Sequence, residues 1–178
     1  MFKNSLAALF SVALISSACA QAFSLDGTLF ERVGAEKKID PYLLYAVTLT
    51  ESAYSRKLDG TASPYPWVLR FPEGPEYYDN RREAEKALRD ALARGVRSVD
   101  IGMAQINCKW HCRRVKRPEN LLDPLTNLRT CADILNEEFD RIPNNLLQAI
   151  GRYHSADPDR NSRYGLTVWN VYRELKGF

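Results

Sequence analysis

Apolar positions along the chain recur mainly at three- and four-residue intervals, the spacing of helices with one buried face. Residues 40–55, DPYLLYAVTLTESAYS, show this pattern and one departure from it. Asp40 and Pro41 form an N-cap and first-turn pair, and Ile39 is placed to staple onto Leu44. The helix is expected to run to about Ser52–Tyr54. Leu44 and Val47 share a face, and Glu51 falls on that face one turn later. A carboxylate on an apolar stripe must be neutral, paired, or at the floor of a cleft. Its place near a helix C-terminus also disfavours the charged form. Both effects raise its pKa, which suits a general acid near neutral pH. The alternative is a helix rotated to put Glu51 in solvent, or an arginine partner.

Further helices follow. In NRREAEKALRDALARG, Asn80 is the cap, Glu83 completes a capping box, Gly95 ends the helix, and Ala84, Leu88, Ala91 and Leu92 form its apolar face. Asp123-Pro124 opens a helix carrying Leu125, Leu128, Ala132, Leu135 and Phe139. NNLLQAIGRYH, after Pro143, predicts a shorter one, and RYGLTVWNVYREL a last one with Tyr164, Val168, Tyr172 and Leu175 on one face. Residues 59–79, rich in aromatics and prolines, predict an irregular β-hairpin or a pair of extended loops. The fold class is therefore mainly α (α+β), with one small β excursion. At 178 residues the chain makes one domain with a substantial core.

The N-terminus has a different character. Lys3, the apolar run LAALFSVALIS, and overlapping A-x-A patterns ending at Ala20 or Ala22 read as a secretory signal peptide over residues 1–22, with the domain covering 23–178. Export to the periplasm is the expectation. Lipidation at Cys19 is the lesser alternative, because Ser16 stands where a lipoprotein signal has an aliphatic residue. The formal charge of +3 falls to +2 without Lys3, far from a nucleic-acid-binding signature. Cys108, Cys112 and Cys131 then remain, and an odd number in an oxidising compartment implies one disulfide and a spare thiol. The expectation is Cys131 bridged to Cys108 or Cys112.

Two more segments carry chemistry. DIGMAQIN, residues 100–107, offers Gly102 for close backbone approach and the amides Gln105 and Asn107, residue types that suit the wall of a polar cleft. AIGRYHSAD, residues 149–157, ends a helix in Tyr153 and His154. Each motif also fits a packed structural role.

Taken in order, Glu51-Ser52, Gly102-Met103-Ala104-Gln105-Ile106-Asn107, Asp123-Pro124 with Asn127-Leu128, and Tyr153-His154-Ser155 resemble the lytic transglycosylase SLT family, relatives of the goose-type lysozymes. The likeness spans roughly residues 35–175. PYPW, GVRSVDIG and IGRYHS are similar to segments of family members associated with conjugation and integrative elements. Ala104 stands where the family usually has Met, and His154 where it has Asn. An insert at about 59–99 separates Glu51 from the Gln motif, with Tyr65, Trp67, Tyr77 and Tyr78 available to stack on sugars or to pack the insert down.

The resemblance implies a lysozyme-like helical domain with a small β-hairpin and helix insert. It implies Glu51 as the catalytic acid and base, and Ser52, Gly102, Met103, Gln105, Asn107, Tyr153 and His154 as substrate-binding residues. The substrate would be peptidoglycan glycan strands, cleaved to 1,6-anhydromuramic acid ends. The protein would be a monomer using no metal or cofactor and binding no nucleic acid, with a type IV secretion or conjugation apparatus as a further partner. Rival readings are a hydrolytic muramidase using Asp100 as base, a non-catalytic peptidoglycan-binding protein, and a zinc module built on Cys108, His111, Cys112 and Cys131.

Overall fold

The computed structural model describes residues 23–54 and 62–178. The segments read as a signal peptide, Cys19 and the start of the insert lie outside the described residues. Among the described residues, seven α-helices and six short strands follow in the order α1 (Leu29–Lys37), α2 (Pro41–Ser52), β1 (Ala53–Tyr54), β2 (Ser63–Pro64), β3 (Val68–Phe71), β4 (Gly74–Tyr77), α3 (Arg81–Ala93), β5 (Asp100–Ile101), β6 (Ile106–Asn107), α4 (Cys108–His111), α5 (Pro124–Arg141), α6 (Leu146–His154) and α7 (Pro158–Lys176), with 3-10 turns at Cys112–Arg114 and Pro118–Leu122 between α4 and α5. The mainly α class with a small β insert is what forms. Among the described residues no helix is long and apolar enough to cross a membrane.

The caps act as their residue types dictate. Asp40, Asp123 and Asp157 each accept a hydrogen bond from a first-turn backbone N–H, and each is followed by Pro at the first helical position. Asn80 accepts from Glu83 N at 3.1 Å, while its own amide donates to the Glu83 carboxylate at 2.8 Å. Two elements exceed the sequence expectation. Helix α1 was not anticipated, although Thr28 and Glu31 form a cap of the same type. Helix α7 begins at Pro158, several residues before the apolar stripe starts, because Asp157-Pro158 repeats the Asp-Pro start signal.

Helix α2 is the hub. Leu43, Leu44, Ala46, Val47, Thr48 and Ser52 are all buried, so the helix is enclosed on most sides rather than on one stripe. It packs on α1 and α7, and α7 packs on α6. One core runs through Val33, Leu44, Leu69, Leu88, Ile101, Leu128, Leu135, Ile150 and Val168.

The β excursion is larger than the pattern predicted. Strands β3 and β4 form the expected hairpin, but the antiparallel sheet continues in the order β4-β3-β5-β6. Arg70 lies opposite Asp100, and Asp100 opposite Asn107. The Gln motif is therefore the turn of a second hairpin, zipped to the insert through β3. Two-residue strands carry too little alternation to register as a sequence signal.

The disulfide expectation is corrected. Cys108 pairs with Cys112, their Cα atoms 4.6 Å apart, and Cys131 is the free cysteine. The two partners flank the single turn of α4, whereas Cys131 points from α5 into the core and is fully buried. This pairing also takes two members out of the four-residue metal set considered above. A protein of residues 23–178 should therefore titrate no thiol when native and one thiol after denaturation without reductant; Ellman titration in both states checks this.

Candidate active site

Glu51, Arg70, Asp100, Gln105, Asn107, Trp110, His111, Tyr153, His154, Arg160 and Tyr164 line one cleft of about 580 Å³. Helix α2 delivers Glu51 at its penultimate position, and its side chain keeps only 14% of its exposure. Burial pushes the Glu51 carboxyl up to about 7, and the negative charge of Asp100 pushes the same way. The Tyr164 hydroxyl and Arg70 oppose the shift. That hydroxyl is buried and completes no well-formed hydrogen bond among the described residues, yet it lies close enough to bias the carboxyl.

His154 faces the same carboxyl, with Nδ1 3.9 Å from Glu51 Oε1, beyond hydrogen-bond reach. Its ring stacks on Tyr164 at 4.7 Å and 5°. Burial lowers the His154 pKa, Asp100 opposes this, and Arg160 and Arg70 add to it. The acid and the imidazole are thus both biased toward their neutral forms, as a shared low-dielectric site favours.

The Gln-motif turn forms the opposite wall. Gly102 has φ +75, and a Cβ there would sit 2.5 Å from Asn127 Nδ2 and 2.7 Å from Leu121 O. Only glycine allows that approach. Three helices grip the turn. Ser52 of α2 donates its hydroxyl to Met103 O at 2.7 Å. Tyr153 of α6 donates to Ala104 O at 2.6 Å. Asn127 of α5 accepts from Ala104 N at 2.9 Å and donates to Ile101 O and Leu121 O, both at 2.8 Å. Gln105, held at φ 47, donates its amide to Gly102 O at 2.9 Å and leaves Oε1 buried with no hydrogen-bond partner among the described residues. Asn107 donates to Asp100 Oδ1 at 2.7 Å, and Asp100 is shifted up by burial.

Of the eight expected site residues, Glu51, Gln105, Asn107, Tyr153 and His154 line the cleft. Ser52, Gly102 and Met103 do not. All three are buried: Gly102 and Met103 belong to the turn itself, and Ser52 holds the Met103 carbonyl from α2. The aromatics of the insert also lie elsewhere: Tyr77 stacks on Tyr54 at 4.4 Å, Tyr65 packs on Tyr77 and Trp67, and Trp67 and Tyr78 pack against the core. None of Tyr65, Trp67, Tyr77 and Tyr78 lines the Glu51 cleft. Sequence reasoning missed Arg70, Trp110, Arg160 and Tyr164 as cleft residues. Nothing in the sequence pattern signalled Arg70, whose place opposite Asp100 depends on pairing with the two-residue strand β5, and the others lie on helices whose orientation is set by packing.

Residues 28–167 match the Transglycosylase SLT domain family. The chain belongs to that family. Two relatives, both Invasion protein IagB, from Salmonella typhimurium strains SL1344 and LT2, are each 32% identical over 89 residues, covering 45% of this chain and 54% of the relative. The chain thus spans about half the length of the curated relatives it matches. No solved structure matches it.

The buried acid makes stability depend on pH. At pH below the ordinary value of 4.5, Glu51 is protonated whether folded or not. Between 4.5 and about 7 only the unfolded chain ionises, so the stability that the raised pKa contributes is lost as pH rises through the folded value. Glu51→Gln should therefore gain stability relative to the parent between about pH 4 and about pH 8, by up to about 3 kcal/mol. Urea unfolding of both proteins across that range measures the difference.

Proposed function

We propose that the chain is a peptidoglycan lytic transglycosylase in which Glu51 alone moves the protons. The observation that carries this reading is the buried Glu51 carboxyl, pushed up to about 7, lining a polar cleft in a chain of the SLT family. The strand binds with a β-1,4 bond between N-acetylmuramic acid and N-acetylglucosamine beside Glu51. Glu51 gives its proton to the bridging oxygen as the bond to C1 breaks. The resulting carboxylate takes a proton from the muramic acid 6-hydroxyl, whose oxygen closes on C1. The acid is regenerated, no water is consumed, and the product ends in 1,6-anhydromuramic acid. The substrate's N-acetyl oxygen steadies the positive centre, and Gln105, which lines the cleft, orients the sugar.

Tyr153 and Ser52 act at one remove, by fixing the turn that presents Gln105. His154 sits across from Glu51 as a neutral ring and shields the acid from bulk water. The enzyme acts outside the cytoplasm after loss of residues 1–22, opening the wall locally for a secretion or conjugation apparatus. The motif forms PYPW, GVRSVDIG and IGRYHS support that role, as does similarity to a protein named for invasion.

A second reading is hydrolysis of the same bond, favoured by one observation: Asp100 lines the cleft with Glu51 and could position a water. Mass analysis of digested sacculi separates the two. Transglycosylation gives muropeptides one water lighter than reducing ones, whereas hydrolysis gives reducing ends. Glu51→Gln should lower kcat by about 10²- to 10⁴-fold. Activity of the parent should fall as pH rises through about 7, where the acid loses its proton.

A further inference from the structure

We propose that Trp110 is a sugar-stacking subsite of the Glu51 cleft, held in place by the Cys108–Cys112 disulfide. The inference rests on the reading that this cleft takes a glycan strand, and it names what grips one of the rings. Large apolar side chains left exposed among the described residues are Phe23, Leu29, Trp110, Leu146, Leu147, Leu166 and Phe178. Trp110 alone of these lines the cleft, and it is 61% exposed. The other two tryptophans are placed differently: Trp67 packs on the core and Trp169 stacks on Tyr172 at 5.3 Å. An indole left facing water beside a polar cleft forgoes the gain of burial unless a ligand supplies it. A pyranose ring does so, because its C–H face lies flat on an aromatic plane while its hydroxyls and N-acetyl group reach polar side chains. Those polar side chains are Asn107, Asp100 and Gln105, on the hairpin that leads into α4.

The indole stands on a braced support. Helix α4 is a single turn, too short to hold itself. Its start is capped by Asn107, which accepts from Lys109 N at 3.1 Å, and is tied down by Cys108 N donating to Val99 O at 2.7 Å. Its end is held by Arg114, which donates to His111 Nδ1 at 3.1 Å and pairs in two-pronged fashion with Glu137 at 2.6 and 2.7 Å. The disulfide joins the two ends across Trp110. Lys109 Nζ lies 5.0 Å from the indole centroid and further restricts the ring. Such bracing reduces the ordering cost of binding.

The test uses Glu51→Gln protein, to separate binding from turnover, with the N-acetylglucosamine tetramer as probe and calorimetry and tryptophan emission as readouts. Adding Trp110→Ala should weaken binding about 3- to 10-fold, and Trp110→Phe should restore most of it. The emission change on binding should vanish in both. Removing the disulfide as Cys108→Ser/Cys112→Ser should weaken binding when Trp110 is present and change nothing further when it is Ala, a non-additivity that a merely stabilising bridge does not give. Unchanged affinity in Trp110→Ala overturns the subsite, and additive effects overturn the role of the disulfide. Wall digestion by the unsubstituted protein is followed in parallel. Digestion without tetramer binding overturns the stacking subsite alone, and absence of both overturns the glycan reading with it.

Discussion

The turn at residues 102–105 is the point on which the rest of the structure depends. A four-residue turn on two-residue strands has almost no stability of its own. Here its backbone is held by Ser52, Asn127 and Tyr153, side chains from three helices that are far apart in sequence. The Asn127 amide meets three backbone groups at once, and Gly102 leaves room for it by having no side chain. Gln105 stays in the left-handed region, a strain of about 1–2 kcal/mol for a non-glycine residue, because the groups around it leave the turn no other arrangement. The turn is thus held by all three helices at once, through one side chain from each.

That grip also sets the electrostatics of the cleft. Ser52 follows Glu51 directly, so the bond that anchors the turn fixes the end of α2 and with it the acid. Tyr164 and His154 close over the carboxyl from α7 and α6. Burial then outweighs the helpful charge of Arg70 and keeps the proton on Glu51. Asp100, one strand from Arg70 and hydrogen-bonded to Asn107, adds a negative potential that works in the same direction. The free thiol of Cys131 lies in this interior too, pushed up to about 12 by burial, and stays protonated.

Much of this was legible in the sequence, and the exceptions have physical causes. Glu51 was readable as an inward-facing carboxyl because Asp40-Pro41 fixes where α2 starts, although that helix is buried on most sides rather than along a single stripe. Gly102 was readable as a point of close backbone approach, and Gln105 and Asn107 as amides that suit a cleft wall. The roles of Ser52 and Tyr153 were not: a hydroxyl in a motif looks the same whether it faces a sugar or a carbonyl, and only tertiary packing shows that both face carbonyls. The insert aromatics fitted either a sugar platform or a packing role, and it is the packing role they take, stacking on one another as neighbouring rings in a small sheet readily do. The disulfide was misassigned because spacing cannot tell a closed single turn at Cys108–Cys112 from a longer tie, whereas the inward face of α5 claims Cys131 for the core.

The central claim is that burial, more than any partner, raises the Glu51 carboxyl to about 7, so that a large share of it carries its proton near neutral pH. The most direct measurement is a ¹³C NMR titration of the Glu51 side-chain carboxyl in the folded protein, assigned by its loss in Glu51→Gln. The account predicts a midpoint of about 7. A midpoint at the ordinary carboxylate value of 4.5 would contradict it.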